Sequence, residues 1–209
     1  MTLGPAEDLG ATDPRSMERR CHEVLDAAYA GGVRDFDAAR SYGGPEEFLA
    51  SWIRARAPQG ITVSSKWGYT YTAGWKTQAL QHEVKDHSAG AFQRQLAESR
   101  ALLGEHLRIY QIHSVTPDSP ALDDAPLLRD LSRLRDSGVV VGLSVSGPRQ
   151  TEVIERALEL RLFGCVQATW NLLEPSCGPM LARAHAEGLR VLVKEPPRYW
   201  QWQATFGWT

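Results

Sequence analysis

The sequence predicts an α/β protein in which helices surround a parallel sheet. From residue 14 onward, segments with apolar side chains at helical spacing alternate with short apolar strands, and no polar linker interrupts them. Successive strands begin about 25 to 45 residues apart, which leaves room for the helical crossover that parallel strands require. The pattern predicts one domain of six strands and six helices, and it favours a closed barrel over an open sheet. Neither GxGxxG nor a P-loop occurs, so a doubly wound nucleotide-binding fold lacks its usual fingerprint.

Each element is predicted from apolar spacing, capping residues and glycine breaks. The predicted helices span residues 14–29, 45–57, 92–103, 126–136, 149–162 and 174–187. The predicted strands span residues 33–38, 61–65, 107–112, 139–141, 165–169 and 190–193. Residues 67–87 are predicted to form a long loop, whose aromatic residues either line a substrate pocket or anchor the loop on the rim of the fold. These aromatic residues are Trp67, Tyr69, Tyr71 and Trp75.

Composition excludes several classes of protein. The 209 residues are 43% hydrophobic and 23% charged, as in ordinary globular proteins, and the net charge is −2. The chain has no Lys/Arg-rich run, so we expect neither a nucleic acid nor a membrane surface as partner, and a small molecule instead. The sequence shows no signal peptide and no apolar stretch of bilayer length, so we expect a cytoplasmic protein.

Cysteine and histidine usage predicts neither disulfides nor a metal site. The three cysteines, Cys21, Cys165 and Cys177, lie in or beside predicted helices and strands, so we expect free and mostly buried thiols. The six histidines and three cysteines show no paired ligand spacing, so we expect no metal.

Four polar residues lie at or just after the ends of predicted strands, where parallel α/β folds place their catalytic groups. Asp37 closes the first strand and Tyr42 follows in the next loop, Lys66 ends the second strand, and His113 ends the third. Taken singly, each has an ordinary structural interpretation: a loop tyrosine, a solvated lysine, a hydrogen-bonded histidine, or an aspartate that caps a turn. Four such residues in order favour a catalytic site.

Together these residue types suit the reduction of a carbonyl group. A tyrosine has a pKa near 10 and is a weak acid, but a neighbouring lysine ammonium lowers that pKa by favouring the phenolate. In this interpretation Tyr42 is the acid, Lys66 is the ammonium and Asp37 pairs with Lys66. His113 would donate a hydrogen bond to the carbonyl oxygen and orient it.

The motifs DFDAARSYG, SSKWG, QIHS, GLSVSG and CVQATWN resemble the successive strand-end motifs of the aldo-keto reductases, from residue 14 to about 195. This resemblance implies an NADPH-dependent (β/α)8 barrel enzyme that interconverts an aldehyde or ketone, an aldose being one candidate, with its alcohol. It assigns the family's catalytic Asp, Tyr, Lys and His to Asp37, Tyr42, Lys66 and His113.

The same resemblance implies residues that bind the nicotinamide carboxamide. The family's serine and glutamine map to Ser144 and Gln167. Its asparagine position holds Val145, and the adjacent Ser146 is a partial substitute. For Ser144 and Gln167 the alternative is a polar side chain that satisfies local backbone groups.

The two ends of the chain depart from the resemblance. Residues 1–13 contain no convincing first strand, and the aromatic tail 196–209 lacks the expected helix and eighth strand, so a frameshift is one hypothesis for the tail. We therefore expect a barrel with about strands two to seven in residues 14–195, with open edges that favour self-association. The alternative to an enzyme is a noncatalytic remnant or interaction protein that binds no cofactor. A serine hydrolase is disfavoured because Ser146 stands where the nucleophile elbow needs glycine.

Overall fold

The computed structural model describes residues 13–72, 80 and 82–195. Within them, helices and strands alternate along the chain as predicted. The predictions for the N-terminal segment, for Trp75 and for the aromatic tail 196–209 concern residues outside this description and stay predictions.

Three of the described α-helices begin at side-chain caps, Asp13, Ser88 and Asp124, which accept hydrogen bonds from backbone N–H groups of the first turn. The helices are α1 (Pro14–Ala30), α2 (Pro45–Arg56), α3 (Ala89–Leu103), α4 (Ala125–Asp136), α5 (Gln150–Leu160) and α6 (Gly178–Ala186). The strands are β1 (Asp35–Asp37), β2 (Thr62–Trp67), β3 (Tyr69–Tyr71), β4 (Glu83–Lys85), β5 (Leu107–Val115), β6 (Val140–Val145), β7 (Cys165–Thr169) and β8 (Arg190–Lys194).

Several predicted bounds are wrong, and one of them is that of β6, which continues to Val145 instead of ending at residue 141. The segment 67–87 is not all loop, because β3 and β4 pair as an antiparallel ribbon within it. The third predicted strand does not end at residue 112, since β5 continues through His113 to Val115. The last helix begins at Gly178 rather than at residue 174, because the side chains of Asn171 and Glu174 accept hydrogen bonds from nearby backbone N–H groups and hold residues 171–176 in turns.

The chain divides into two compact units between Tyr110 and Gln111, within β5. In the first unit the strand order is β1, β2, β5, and β1 runs parallel to β2 with Asp37 opposite Ser64. The indole of Trp52 on α2 donates to Asp26 on α1 at 2.8 Å, which joins the two helices. Apolar side chains from the helices and strands of this unit, including Phe36, form a buried core.

In the second unit the strand order is β5, β6, β7, β8. Strand β7 runs parallel to both β6 and β8, with Ser144 opposite Gln167 and Gln167 opposite Leu192. Gly142 on β6 is required by close packing, because a Cβ there would lie 2.9 Å from Cγ of Gln111 and 3.0 Å from Cβ of Cys165.

The three cysteines are buried, as predicted, and none of them is in a disulfide. Burial raises the pKa of Cys21 to about 12 and that of Cys177 to about 11, so both thiols resist ionisation. None of the described helices is both long enough and apolar enough to cross a bilayer.

Candidate active site

An ion pair between the buried Lys66 and the partly exposed Asp37 joins the ends of β1 and β2 in the first unit. The ammonium of Lys66 donates to Oδ2 of Asp37 and to the carbonyl oxygen of Ala38, the latter at 3.1 Å. The hydroxyl of Ser64 donates to the other carboxylate oxygen of Asp37. Because only 2% of Lys66 is exposed, its charge depends on these acceptors instead of water. The structure therefore brings two of the predicted catalytic residues into direct contact.

The alternation of side chains along β2 explains this arrangement. Ser64 and Lys66 lie on one face and both bond to Asp37. Ser65 and Trp67 lie on the other face, where Ser65 donates to Glu46 at 2.5 Å and the Trp67 ring packs on Phe92 of α3. Both faces of the strand are buried, as expected when helices cover a parallel sheet.

Residues Arg40–Tyr42 form a single 3₁₀ turn between β1 and α2, which we call the tyrosine turn. The guanidinium of Arg40 donates from one nitrogen to Glu46 at 2.8 Å and from another to Glu98 at 2.6 Å. These bonds attach the tyrosine turn to α2 and α3. The structure describes the backbone of Tyr42, and its side chain lies outside the description.

A buried carboxylate lies on the far side of β2 from Lys66. Glu46 is fully buried, and it accepts hydrogen bonds from Arg40, from Ser65 and from Ser99 at 2.7 Å. The Ser99 hydroxyl lies 3.3 Å from the hydroxyl of Tyr110, whose pKa burial raises. This cluster was not predicted from the sequence. Its one signal is the pair of adjacent serines, Ser64 and Ser65, in a strand predicted to be buried, because buried hydroxyls need partners.

The β3–β4 ribbon packs against the tyrosine turn. Gly68 allows the sharp change of direction after β2, with φ of +107°, and a Cβ there would clash with the ring of His87. Gln95 of α3 accepts from the N–H of Gly68 at 2.9 Å and donates to the carbonyl of Tyr69 at 3.1 Å, which fixes the start of the ribbon. Burial raises the pKa of Glu83 on β4, although a hydrogen bond from Ser41 of the turn opposes that shift.

The second unit contains the two predicted carboxamide-binding residues. Ser144 and Gln167 are opposite one another on neighbouring parallel strands, so their side chains lie on the same side of the sheet, and both are buried. The hydroxyl of Ser144 accepts a hydrogen bond from the N–H of Ser114 at 2.8 Å. Ser114 has φ of +51°, an uncommon conformation that this bond helps to hold. Ser144 therefore satisfies a backbone group and keeps its own hydrogen to donate.

His113 is buried within β5, one residue before Ser114, and it belongs to the second unit. The structure thus describes Asp37 with Lys66 in one unit and Ser144 with Gln167 in the other. The convergence of all four predicted catalytic residues stays a prediction. Among the residues that the structure describes, no group of three or more His, Cys, Asp or Glu side chains is arranged to hold a metal ion.

Comparison with known proteins identifies the family. The model of the aldo/keto reductase family matches residues 6–196, and the chain belongs to that family. The family is one of oxidoreductases, which gives the broad class of this chain. No curated protein matches the sequence.

Solved structures support the same fold. A candidate aldo-keto reductase from Pseudomonas aeruginosa aligns with a TM-score of 0.70 at 25% identity, over 88% of this chain and 68% of that one. The glycerol dehydrogenase of Gluconobacter oxydans aligns with a TM-score of 0.68 at 20% identity, over 87% of this chain and 54% of that one. An aldo-keto reductase from Klebsiella pneumoniae in complex with NADPH aligns with a TM-score of 0.60 at 20% identity, over 85% and 58% of the two chains. The α/β architecture is that of an incomplete (β/α)8 barrel of the aldo-keto reductase type.

Proposed function

We propose that this chain reduces the carbonyl group of an aldehyde or ketone to an alcohol with NADPH, and that Tyr42 donates the proton. The observation that carries the proposal is the pairing of the buried Lys66 with Asp37, which lies at the strand end that precedes the tyrosine turn. Burying the ammonium of Lys66, which is only 2% exposed, destabilises the folded protein unless a partner neutralises the charge or the charge has a catalytic role.

The bonding of Lys66 supports this role. An ammonium has three donor hydrogens, and among the described residues Asp37 and the carbonyl of Ala38 accept two of them. The third can go to the oxygen of Tyr42. A cation that donates to the tyrosine oxygen stabilises the phenolate more than the phenol, so it would make Tyr42 a stronger acid. Asp37 keeps the ammonium in place and balances its charge.

Ser144 and Gln167 are suited to hold the nicotinamide ring by its carboxamide. A carboxamide has an N–H₂ donor and a carbonyl acceptor, and the Gln167 amide offers the complementary pair of groups. The Ser144 hydroxyl has accepted from Ser114 and can donate its hydrogen to the carboxamide oxygen. Because Val145 stands at the position of the family's asparagine, we assign no third bond there. When bound, the cofactor supplies the hydride that the carbonyl carbon receives.

The proton then follows a balanced path. As the carbonyl carbon gains hydride, its oxygen takes the hydroxyl proton of Tyr42, whose O–H bond breaks. The resulting phenolate is stabilised by the Lys66 ammonium, and water returns a proton to it after the alcohol leaves. We assign His113 to a hydrogen bond with the carbonyl oxygen, which orients the substrate.

The test is a comparison of two tyrosine variants in the purified chain. NADPH oxidation would be followed with a panel of aldehydes, ketones and aldoses. Tyr42→Phe should lower the rate by at least about 100-fold, the usual contribution of a general acid, while NADPH affinity stays nearly unchanged. Tyr29→Phe, a change on α1 away from the strand ends, is the matched control and should keep full activity. Equal rates in the wild type and Tyr42→Phe would refute the role of Tyr42.

A second candidate function is that of a noncatalytic interaction protein. It is favoured by apolar side chains that the second unit leaves exposed around the ends of β7 and β8, with Leu172 at 86% exposure. The other members of this group are Trp170, Leu173 and Val193. The two functions differ in cofactor binding. If the chain associates with itself and NADPH quenches no protein fluorescence, the interaction protein is supported; a monomer that binds NADPH supports the reductase.

A further inference from the structure

Glu46 is the most completely buried acidic side chain in the part of the chain that the structure describes. It lies in the first turn of α2, where a carboxylate is favoured by the helix dipole and can remain in water. Its neighbour Glu47 does so, with 49% exposure. Dipole compensation alone therefore does not explain why Glu46 is inside the protein.

The hydrogen-bond partners of Glu46 come from three different elements of the first unit. Arg40 comes from the tyrosine turn, Ser65 from β2 and Ser99 from α3, and all three donate to the one carboxylate. Ser65 is the residue before Lys66, and Arg40 lies two residues before Tyr42. Glu46 is thus bonded to both chain segments that carry the proposed proton donor and its cation.

We propose that Glu46 is a positioning residue that, through Arg40 and Ser65, fixes the tyrosine turn against β2 and so sets the spacing of Tyr42 and Lys66. This inference rests on the proposed function, because it gives Glu46 a role only if Tyr42 and Lys66 act together. Burial of an ion pair is weak evidence of a purely stabilising role, since apolar residues of similar volume often stabilise a protein as well or better. Instead, the carboxylate of Glu46 holds the tyrosine turn in one position relative to β2, through its bonds to Arg40 and Ser65.

The groups around Glu46 are consistent with a carboxylate held by a cation. Burial alone lowers the pKa of Arg40, but the hydrogen bond and charge of Glu46, together with the charges of Glu98 and Glu47, more than offset it, and the net pKa is raised. Arg40 therefore stays charged at any pH at which the protein is folded. Tyr110 faces the cluster through Ser99, and its raised pKa keeps it neutral.

The test measures the titration of Tyr42 itself, so it does not require turnover. The chain would be labelled at the ζ carbon of tyrosine with ¹³C, and the Tyr42 resonance assigned by its loss in Tyr42→Phe. Lys66→Met should raise the pKa of Tyr42 towards the ordinary value near 10. Glu46→Gln keeps the shape, removes the charge and places an N–H₂ group among three donors. Loss of a nearby negative charge would by itself lower the pKa of Tyr42, so the rise of about half a unit or more that we expect reports the lost spacing of Tyr42 and Lys66.

A matched control separates positioning from general stability. Glu152 is also a first-turn glutamate paired with an arginine, Arg149, but it is exposed on α5 of the second unit. Glu152→Gln should leave the Tyr42 titration unchanged. If Glu46 contributed only to stability, Glu46→Gln would lower the melting temperature and leave the Tyr42 pKa of the folded protein where it is.

The outcomes distinguish the two proposals. If Lys66→Met moves the Tyr42 pKa and Glu46→Gln does not, the positioning role is refuted and the proposed function stands. If neither variant moves it, the coupling of Lys66 to Tyr42 fails and the proposed function falls with it. Should Glu46→Gln not fold, Arg40→Lys and Ser99→Ala replace it, because each removes part of the Glu46 bonding without deleting the carboxylate. Either one should give a smaller shift in the same direction, and no shift in both would overturn the inference.

Discussion

The two units carry opposite kinds of polar site. In the first unit the polar groups at the strand ends are charged and paired, with Asp37 bonded to Lys66 and Glu46 bonded to Arg40. In the second unit the two residues assigned to the carboxamide are neutral, with Ser144 beside Gln167, while Glu195, just after β8, accepts a hydrogen bond from Thr169. Buried charges require partners of opposite sign held at fixed distances, whereas neutral amides and hydroxyls can be buried at lower cost and keep hydrogen-bonding capacity for a ligand. The first arrangement suits proton transfer and the second suits recognition.

The largest expected effect is on the free energy of unfolding when the first unit loses the carboxylate of Asp37. Asp37→Asn leaves the Lys66 ammonium buried with no counter-charge, so it should lower the free energy of unfolding by about 3–5 kcal/mol in urea titrations. Asp123→Asn, which breaks an exposed pair with Arg156 in the second unit, is the control and should cost less than about 1 kcal/mol.

The double variant Asp37→Asn/Lys66→Met completes this test. Removing the orphaned ammonium should restore much of the stability that Asp37→Asn loses, because an uncompensated charge is the main cause of that loss. If the double variant is as unstable as Asp37→Asn, the cost comes from packing and the contrast between the units is weaker than we argue.

The alternation of elements and the position of the Asp37–Lys66 pair could be predicted from the sequence. Both depend on local patterns, since apolar runs mark strands and the polar residue after such a run lies at the strand end. The extent of β5 could not, because Ser114 has a backbone conformation that the pattern does not reveal and that a hydrogen bond to Ser144 supports. The β3–β4 ribbon was missed because its strands have three residues each and are far apart in sequence.

The burial of Glu46 could not be predicted from the sequence. A glutamate after a proline at a helix start is an ordinary exposed first-turn acid by every local rule. Its burial results from donors on three separate elements, Arg40, Ser65 and Ser99, whose convergence is a tertiary property. Only the adjacent serines in a buried strand pointed to an unseen polar partner, and they did not identify it.

The neutral site of the second unit should show a moderate effect on binding. Gln167→Ala removes the amide that we assign to the nicotinamide carboxamide, and it should weaken NADPH binding about tenfold, or about 1.4 kcal/mol, in a fluorescence titration. Gln59→Ala, an exposed glutamine in the loop before β2, should not change it. Equal NADPH affinity in Gln167→Ala and the wild type would leave Gln167 as a structural residue only, and the second unit would then lose its assigned role in recognition.

The smallest expected effect is on the free energy of unfolding when Glu83 of the ribbon, whose pKa is raised, is replaced. Neighbouring groups partly desolvate Glu83, although much of the residue is exposed, and this raises its pKa above the ordinary value of 4.5. Its charged form is therefore less stable in the folded protein than in the unfolded chain. Stability from this group is fully present below that ordinary value and is lost as the pH rises through the folded pKa. At pH 7 the charge of Glu83 is therefore a small cost, and Glu83→Gln should stabilise the protein slightly, by less than about 1 kcal/mol because solvent screens the group. At about pH 3.5, where glutamate is mostly protonated in either state, the gain should vanish.

Glu152 in the second unit should show the opposite effect: its substitution by glutamine should lower the free energy of unfolding at pH 7. The hydrogen bond and the charge of Arg149 lower the pKa of Glu152, so its contribution to stability is present above the ordinary glutamate pKa and is lost as the pH falls through the folded value. Glu152→Gln should therefore destabilise the protein at pH 7 and have little effect near the acid end of the titration. Urea unfolding of the wild type and both variants at the two pH values gives the comparison. If Glu83→Gln destabilises the protein at pH 7 as Glu152→Gln does, then Glu83 is an ordinary solvated carboxylate, and the ribbon exerts no desolvating effect beside the tyrosine turn.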